Sequence, residues 1–375
     1  MYRLLGFLLC FLLLPISAYA QVSAQSCIVI EATSQRVLYE KNADTQLPMA
    51  STTKIMTALV ALEAGDPDTQ VTISKTAAGV EGSSMYLEVG EILTVKELLY
   101  GLMLASGNDA AVAIAEQFGG MDTFVKNMNQ KAESLGVHHT QFKNPNGLPH
   151  EGHYSTARDM ATITAAALKN PHFAEIVATK TYGIKGEGKA HPRQLSNHNK
   201  LLRMYPGCIG VKTGFTKAAG RCLVSAAQKG GMTLICVTLN APDDWNDHIS
   251  LYNRLFSEYS MDTPLSAYSS MGEISVKGSD RTTLPFGADT SFFYPLKQGE
   301  TLTLSPALDE GLSAPVSKGD LCGTVQIKLG DKVLCTQTLV ALEDAPWTLL
   351  PQTVRQDFML NLQAICKRWL TLSSH

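Results

Sequence analysis

The chain is short of charge. Asp, Glu, Lys and Arg make up 17% of its 375 residues, with 31 basic against 34 acidic side chains and a formal charge of −3. Without a basic excess it has no electrostatic footprint for nucleic acid. It also lacks C-x-x-C pairs, zinc-ligand spacings, H-E-x-x-H and G-x-S-x-G. Those absences argue against a structural zinc, a redox dithiol, a zincin and a nucleophile-elbow hydrolase. His150, Glu151 and His153 come closest to a metal motif, but H-E-x-H is one residue short of the helical spacing. Internal repeats and low-complexity tracts are missing too. What is present is 45% hydrophobic residues, enough for a real core, in a chain long enough for two domains.

The first twenty residues stand apart from that core. Arg3, the apolar run Leu4 to Leu14, Pro15 and the small residues Ala18 and Ala20 read as a cleavable export signal over 1–20, too short in apolar length for a membrane span. Of eight cysteines, Cys10 lies in that leader. The others (Cys27, Cys208, Cys222, Cys236, Cys322, Cys335, Cys366) are scattered, several in apolar runs, so no disulfide framework is expected.

Residues 21–262 read as one domain. Ile28 to Ile30 and Arg36 to Tyr39 predict two strands. Helices are predicted over about Ser51 to Ala64, from the Thr94–Glu97 capping box to Leu104, over Asp122 to Leu135, and over Ala157 to Leu168, the last stopping before Asn170 and Pro171. Strands return over Gly207–Thr213, Arg221–Ala227 and Met232–Leu239. A helix follows with Ile249, Tyr252, Phe256 and Tyr259 on one face behind Asp243 and Asp244. Strands at both ends flanking helices predict an α+β fold, an antiparallel sheet with packed helices and a helical lobe. Short β-like runs with Gly and Pro over 263–350 predict a small β-sandwich domain. In the tail, 351–375, one helical face carries Val354, Phe358, Met359, Leu362, Ile365, Cys366, Trp369 and Leu370, and Arg355, Gln356, Gln363, Lys367 and Arg368 lie opposite. Such an amphipathic helix either lies in a membrane interface, which its terminal Lys-Arg-Trp favours, or packs on the β domain.

Three short patterns carry chemistry. Ser51-Thr52-Thr53-Lys54 opens the apolar helix, and positions three apart share a face, so hydroxyl and amine can meet. A lysine buried there would have a lowered pKa and could take the hydroxyl proton. Ser106-Gly107-Asn108 lies on a short loop after an apolar helix, where a second hydroxyl and an amide could relay a proton and hold a substrate amide. Lys212-Thr213-Gly214 ends a strand: its Lys and Thr could bind a carboxylate, and its Gly would let a substrate backbone approach the strand edge. Each pattern alone is common. S-x-x-K, S-G-N and K-T-G in that order form a set shared by penicillin-binding proteins and class A β-lactamases, with Gly107 where that set usually has Asp.

With G-L-M-L-A-S-G-N-D-A over 101–110, F-K-N-P-N-G-L over 142–148, Y-S-T-A-R-D-M over 154–160 and V-K-T-G-F-T-K-A-A-G over 211–220, the chain resembles the low-molecular-mass penicillin-binding proteins that are serine-type D-alanyl-D-alanine carboxypeptidases. The resemblance implies an enzyme, free of metal and cofactor, that trims the terminal D-alanine from peptidoglycan stem peptides in cell-wall biogenesis and is acylated by β-lactams. It implies Ser51 as nucleophile, Lys54 as its base and Ser106 as proton relay. Asn108 binds the peptide amide, Lys212 and Thr213 hold the terminal carboxylate, Gly214 admits the substrate backbone, and the Ser51 and Phe215 N–H groups form the oxyanion hole. Position 208 departs from the pattern, with Cys where related sequences more often have Ala. A class A β-lactamase would need E-x-x-L-N between Asn108 and Lys212, and the chain has none. A β-lactam sensor that acylates and stalls is the non-enzymatic alternative, separated by turnover of a D-alanyl-D-alanine peptide. The expected location is outside the cytoplasm, peripheral on the outer face of the cytoplasmic membrane through the tail.

Overall fold

A computed structural model describes residues 22–185, 191–348 and 352–372. The export signal assigned to 1–20 lies outside the described residues. The chain divides into two compact units with their boundary between Ser257 and Glu258.

The first unit begins with strands β1 (Ser26–Glu31) and β2 (Val37–Lys41), a 3₁₀ turn (Ala50–Thr53) and helix α1 (Lys54–Ala64). Next come β3 (Gln70–Thr72), α2 (Lys75–Ala78), β4 (Ile92–Thr94), α3 (Val95–Leu104), α4 (Asn108–Gln117), α5 (Met121–Ser134), α6 (Ala157–Leu168) and α7 (Pro171–Ala178). It closes with the β5–β6 ribbon (Thr181–Ile184, Arg193–Ser196), α8 (Leu201–Met204), β7 (Cys208–Thr216), β8 (Gly220–Lys229), β9 (Met232–Leu239) and α9 (Asp244–Glu258). One antiparallel sheet, ordered β2-β1-β9-β8-β7, joins the two ends of this unit, with Val29 opposite Cys236 in the β1–β9 register. Asp247 on α9 strengthens that closure by accepting the Ser23 backbone N–H at 2.9 Å.

Packing explains the placement of α1. Ile55, Met56, Leu59 and Ala61 have almost no exposed surface and join α3, α4 and the sheet in a single apolar cluster. Each large side chain so buried contributes about 1.5–3 kcal/mol, which fixes α1 firmly and everything attached to its first turn. The Thr94–Glu97 capping box forms as the sequence predicts: Thr94 Oγ1 accepts the Glu97 N–H at 3.1 Å, and Glu97 Oε2 accepts the Thr94 N–H at 2.8 Å.

Helix α6 stops before Asn170 and Pro171 as expected, and the same pair starts α7, with Asn170 Oδ1 accepting the His172 N–H at 3.0 Å and Pro171 in the first turn. Three local expectations need correction. Lys212-Thr213-Gly214 does not end a strand, because β7 runs on to Thr216 and holds the pattern in its interior. Asn108 is not on a loop; it is the first residue of α4, and only Ser106 and Gly107 form the link from α3. Tyr259 leaves the helical face assigned to it, because α9 ends at Glu258 and Tyr259 pairs with Lys297 as a strand residue. The buried face of α9 is His248, Leu251, Tyr252, Leu255 and Phe256, with Ile249 at its edge.

The second unit holds β10 (Tyr259–Leu265), β11 (Gly272–Lys277), β12 (Thr283–Ala288), β13 (Phe292–Lys297), β14 (Leu302–Leu308), β15 (Leu312–Ser313), β16 (Leu321–Leu329) and β17 (Lys332–Ala341). A six-stranded sheet, ordered β14-β16-β17-β12-β11-β15, is accompanied by the β10–β13 ribbon. Leu284, Val325, Ile327 and Leu339 form its separate apolar core. Helix α10 (Gln352–Leu372) follows, and every one of its side chains described between Val354 and Arg368 is exposed.

Candidate active site

The 3₁₀ turn runs directly into α1, so Ser51 and Lys54 project from the same side of successive turns. Lys54 Nζ lies 2.8 Å from Ser51 Oγ. The same Nζ donates to Asn108 Oδ1 and to the Asn146 carbonyl, each at 2.7 Å, and is 3.5 Å from Ser106 Oγ. The Asn108 amide has a fixed sense, since its Nδ2 donates to the Glu81 carbonyl at 2.7 Å. Lys54 has no exposed surface. Burial, reinforced by the nearby Lys212 charge and opposed by Asp109, pushes the Lys54 amine well below the ordinary lysine range.

Ser106 joins the group by adopting a left-handed backbone, φ +61°, at the α3–α4 link. Backbone strain of this kind costs about 1–3 kcal/mol and survives only where the surroundings impose it. Here they do, because the flanking Gly107 and Asn108 N–H groups donate to the Gly101 and Ser83 carbonyls at 3.1 and 2.7 Å. The buried Asp109 carboxylate accepts from Ser84 Oγ at 2.5 Å and from the Met85 and Leu87 N–H groups at 3.1 Å, closing the loop over 81–91 onto the site.

Strand β7 brings the third pattern. Thr213, Gly214 and Phe215 line a cleft of ≈ 270 Å³ together with Ser51, Ser83, Ser106 and His198. Lys212 is buried rather than on the cleft wall, donates to the Thr213 carbonyl at 2.8 Å, and has its pKa lowered to about 7 by burial. The fixed cation in the cleft lining is Arg221, opposite Phe215 in the β7–β8 register. Its guanidinium is held by Asp244 Oδ1 at 2.6 and 3.1 Å and lies 5.6 Å over the Trp245 ring, with 42% of the side chain exposed. This arrangement can activate a hydroxyl beside a pocket that offers N–H donors, a hydroxyl and a cation.

All the predicted positions Ser51, Lys54, Ser106, Asn108, Lys212, Thr213, Gly214 and Phe215 are thus gathered at one place. Sequence reasoning missed Asn146, Arg221 and Asp244. Asn146 sat within the N-P-N-G turn, and an Arg directly after the K-T-G strand's hairpin was a usable signal. Among the described residues no group of three His, Cys, Asp or Glu side chains could hold a metal. His153 instead meets Thr53 and a backbone N–H. Cys208 is half-buried, its thiol pushed up by burial and donating to the Gly210 carbonyl at 3.3 Å.

Comparison with known proteins agrees with this geometry. A family model described as D-alanyl-D-alanine carboxypeptidase matches residues 15–243, and one described as penicillin-binding protein 5, C-terminal domain, matches 259–346. The D-alanyl-D-alanine carboxypeptidase DacF of Bacillus subtilis is 37% identical over 333 residues, covering 86% of this chain and 85% of that protein. DacA of Escherichia coli is 33% identical, covering 87% and 84%. The structure of penicillin binding protein 5 from Haemophilus influenzae superposes with a TM-score of 0.72 at 30% identity, over 87% of this chain and 98% of that one. A Streptomyces K15 DD-transpeptidase structure covers 63% of this chain and 99% of its own, with a TM-score of 0.61 at 36% identity. The chain therefore belongs to the D-alanyl-D-alanine carboxypeptidase family and is a serine peptidase of the penicillin-binding class.

Proposed function

We propose that Ser51 is the residue acylated, that Lys54 is its base, and that the acyl group comes from the D-alanyl-D-alanine end of a peptidoglycan stem pentapeptide. The observation that carries this is the hydrogen-bond inventory at Lys54. A neutral amine has two N–H bonds and one lone pair. Asn146 O and Asn108 Oδ1 accept at 2.7 Å and take both N–H bonds. The lone pair is then left facing Ser51 Oγ at 2.8 Å, where it can accept the hydroxyl proton. Burial favours that neutral state.

Ser51 Oγ then attacks the carbonyl of the penultimate D-alanine. The Ser51 and Phe215 N–H groups stabilise the oxyanion. The proton held at Lys54 passes, with Ser106 as relay, to the departing amine, and the C–N bond breaks. Water, activated by the same lysine, releases the acyl group and restores the serine. Asn108 binds the peptide amide and Gly214 allows the backbone to lie against β7. For the terminal carboxylate, Thr213 supplies a hydroxyl and Arg221 a fixed cation on the cleft wall, while Lys212, buried near Lys54 and His198, contributes its charge from beneath the cleft lining. β-Lactams acylate the same serine.

The enzyme works outside the cytoplasm, exported by the 1–20 leader and held at the outer face of the cytoplasmic membrane by α10. No described helix is long and apolar enough to cross a membrane. The exposed side chains of Val354, Phe358, Leu362 and Ile365 support an interfacial position instead. Mass spectrometry with a stem pentapeptide and with a penicillin tests the reading: free D-alanine and a penicilloyl adduct on Ser51 are expected. A Ser51→Ala protein that still labels covalently overturns it, and labelling without D-alanine release points to a sensor.

A further inference from the structure

The peptide group joining Ala50 to Ser51 is clamped on several sides. Ala50 has φ +46°, a left-handed conformation unusual for a residue with a side chain. A Cβ on Gly147 would overlap the Ala50 carbonyl, and one on Gly214 would lie 3.1 Å from the Ser51 nitrogen. The Ala50 carbonyl accepts from Thr53 Oγ1 at 2.8 Å, and Thr53 has no exposed surface. His153, buried and far along the chain, brings Nε2 to 2.9 Å from Thr53 Oγ1, while its Nδ1 accepts the Lys143 backbone N–H at 2.9 Å.

Counting protons gives this chain of bonds a direction. A backbone N–H only donates, so Nδ1 is bare and the neutral ring carries its proton on Nε2. Burial favours that neutral ring, lowering its pKa to about 4. Nε2–H therefore donates to Thr53 Oγ1, whose single O–H goes to the Ala50 carbonyl. A peptide plane is rigid, so aiming its C=O also aims the N–H on its opposite edge. That N–H belongs to Ser51.

We propose that His153 and Thr53 are positioning residues that hold the Ala50–Ser51 peptide plane so that the Ser51 N–H points into the oxyanion hole; the proposal rests on Ser51 being the acylated residue. Neither side chain lines the substrate cleft with Ser51, so they act through the backbone and not on the substrate.

Thr53→Val removes the hydroxyl at nearly constant volume, and Thr53→Ser keeps it. His153→Phe and His153→Gln form a second pair, the amide of Gln offering a donor near the Nε2 position. The measurements are the penicillin acylation rate, the site of the adduct, KM for a D-alanyl-D-alanine peptide, and the infrared carbonyl stretch of the acyl-enzyme. Thr53→Val is expected to slow acylation about tenfold to a hundredfold, since an oxyanion donor is misaimed rather than deleted. Its acyl carbonyl should move to higher wavenumber, because a weaker hydrogen bond polarises it less, while KM stays near that of the parent. Thr53→Ser should restore both rate and frequency. Parent-like acylation with an unshifted carbonyl in Thr53→Val overturns the proposal, and so does a Thr53→Ser protein as slow as Thr53→Val. If His153→Phe does not fold, the Thr53 pair still decides. An adduct away from Ser51 in the parent protein sinks the underlying reading instead, which keeps the two failures distinct.

Discussion

Helices α1 and α10 both carry large apolar side chains, and they meet opposite environments. In α1, Ile55, Met56 and Leu59 are sealed in the core together with Lys54. In α10, Phe358 and Ile365 are each 57% exposed. The difference shows two uses of one kind of surface. Buried, it sets the medium for chemistry: the apolar surroundings of α1 hold the Lys54 amine well below the ordinary lysine range, which the proposed role as base requires. Exposed, it is free of any core role, and the proposed membrane placement would use it as a contact surface, with Lys367 and Arg368 near its end.

The comparison breaks most sharply at Lys54. If burial matters because it yields a neutral amine, Lys54→Arg should abolish acylation despite conserving charge, since a guanidinium stays protonated in proteins. A loss of about 10²–10⁴ in rate is expected for a missing general base, read by time-resolved penicillin labelling. Labelling within a few-fold of the parent would mean that Lys54 acts only as a point charge.

A smaller effect is expected at Arg221, the exposed cation of the same cleft. Arg221→Leu should raise KM for peptides ending in a free carboxylate by about tenfold to a hundredfold, the worth of one charge-assisted hydrogen bond. C-terminally amidated peptides should be indifferent to the change. Equal losses for both peptides would show that Arg221 supports the fold through Asp244 rather than binding substrate.

The pH profile sharpens the contrast further. Acylation requires unprotonated Lys54, so its rate should rise with pH, with the rising limb well below the ordinary lysine value. The Lys212 charge lowers the Lys54 pKa, so Lys212→Met should move that limb upward in pH. The sign is the test, and a downward or absent shift would show that the two lysines do not sense each other.

How much of this was legible beforehand follows from the range of the interactions. Ser51 and Lys54 are three apart, and Thr94 and Glu97 form a local cap, so periodicity reaches both. The set S-x-x-K, S-G-N and K-T-G reached the rest of the proposed serine machinery: the first two patterns mark element starts, while K-T-G lies inside β7 and is legible only as part of the set. Asn146 meets Lys54 across 92 residues and His153 meets Thr53 across 100. Nothing local in either segment announces the partner, since the meeting is made by packing the 142–153 loop against α1. Misreading Asn108 as loop had a different cause: Gly107 looks like a break, yet it caps a helix whose first residue is the one that meets Lys54.

Removal of the tail should have the smallest effect on turnover and is the cleanest probe of the exposed helix. A chain ending at residue 348 keeps every residue of the cleft and both apolar cores, so kcat and KM on soluble peptides should equal those of the full chain. Its melting temperature should also be unchanged, because the described α10 side chains are exposed and contribute no core burial. Association with anionic vesicles should be lost. Several large apolar side chains entering the interface supply several kcal/mol, and each basic residue near the surface adds about 1 kcal/mol. High salt should therefore weaken binding of the full chain without abolishing it, because the apolar share is unscreened. Co-sedimentation with vesicles, run beside thermal unfolding, separates the two roles open to such a helix. Equal sedimentation of both chains with a lower melting temperature for the shortened one would make α10 a structural brace, and its likeness to α1 would then be closer than its exposure suggests.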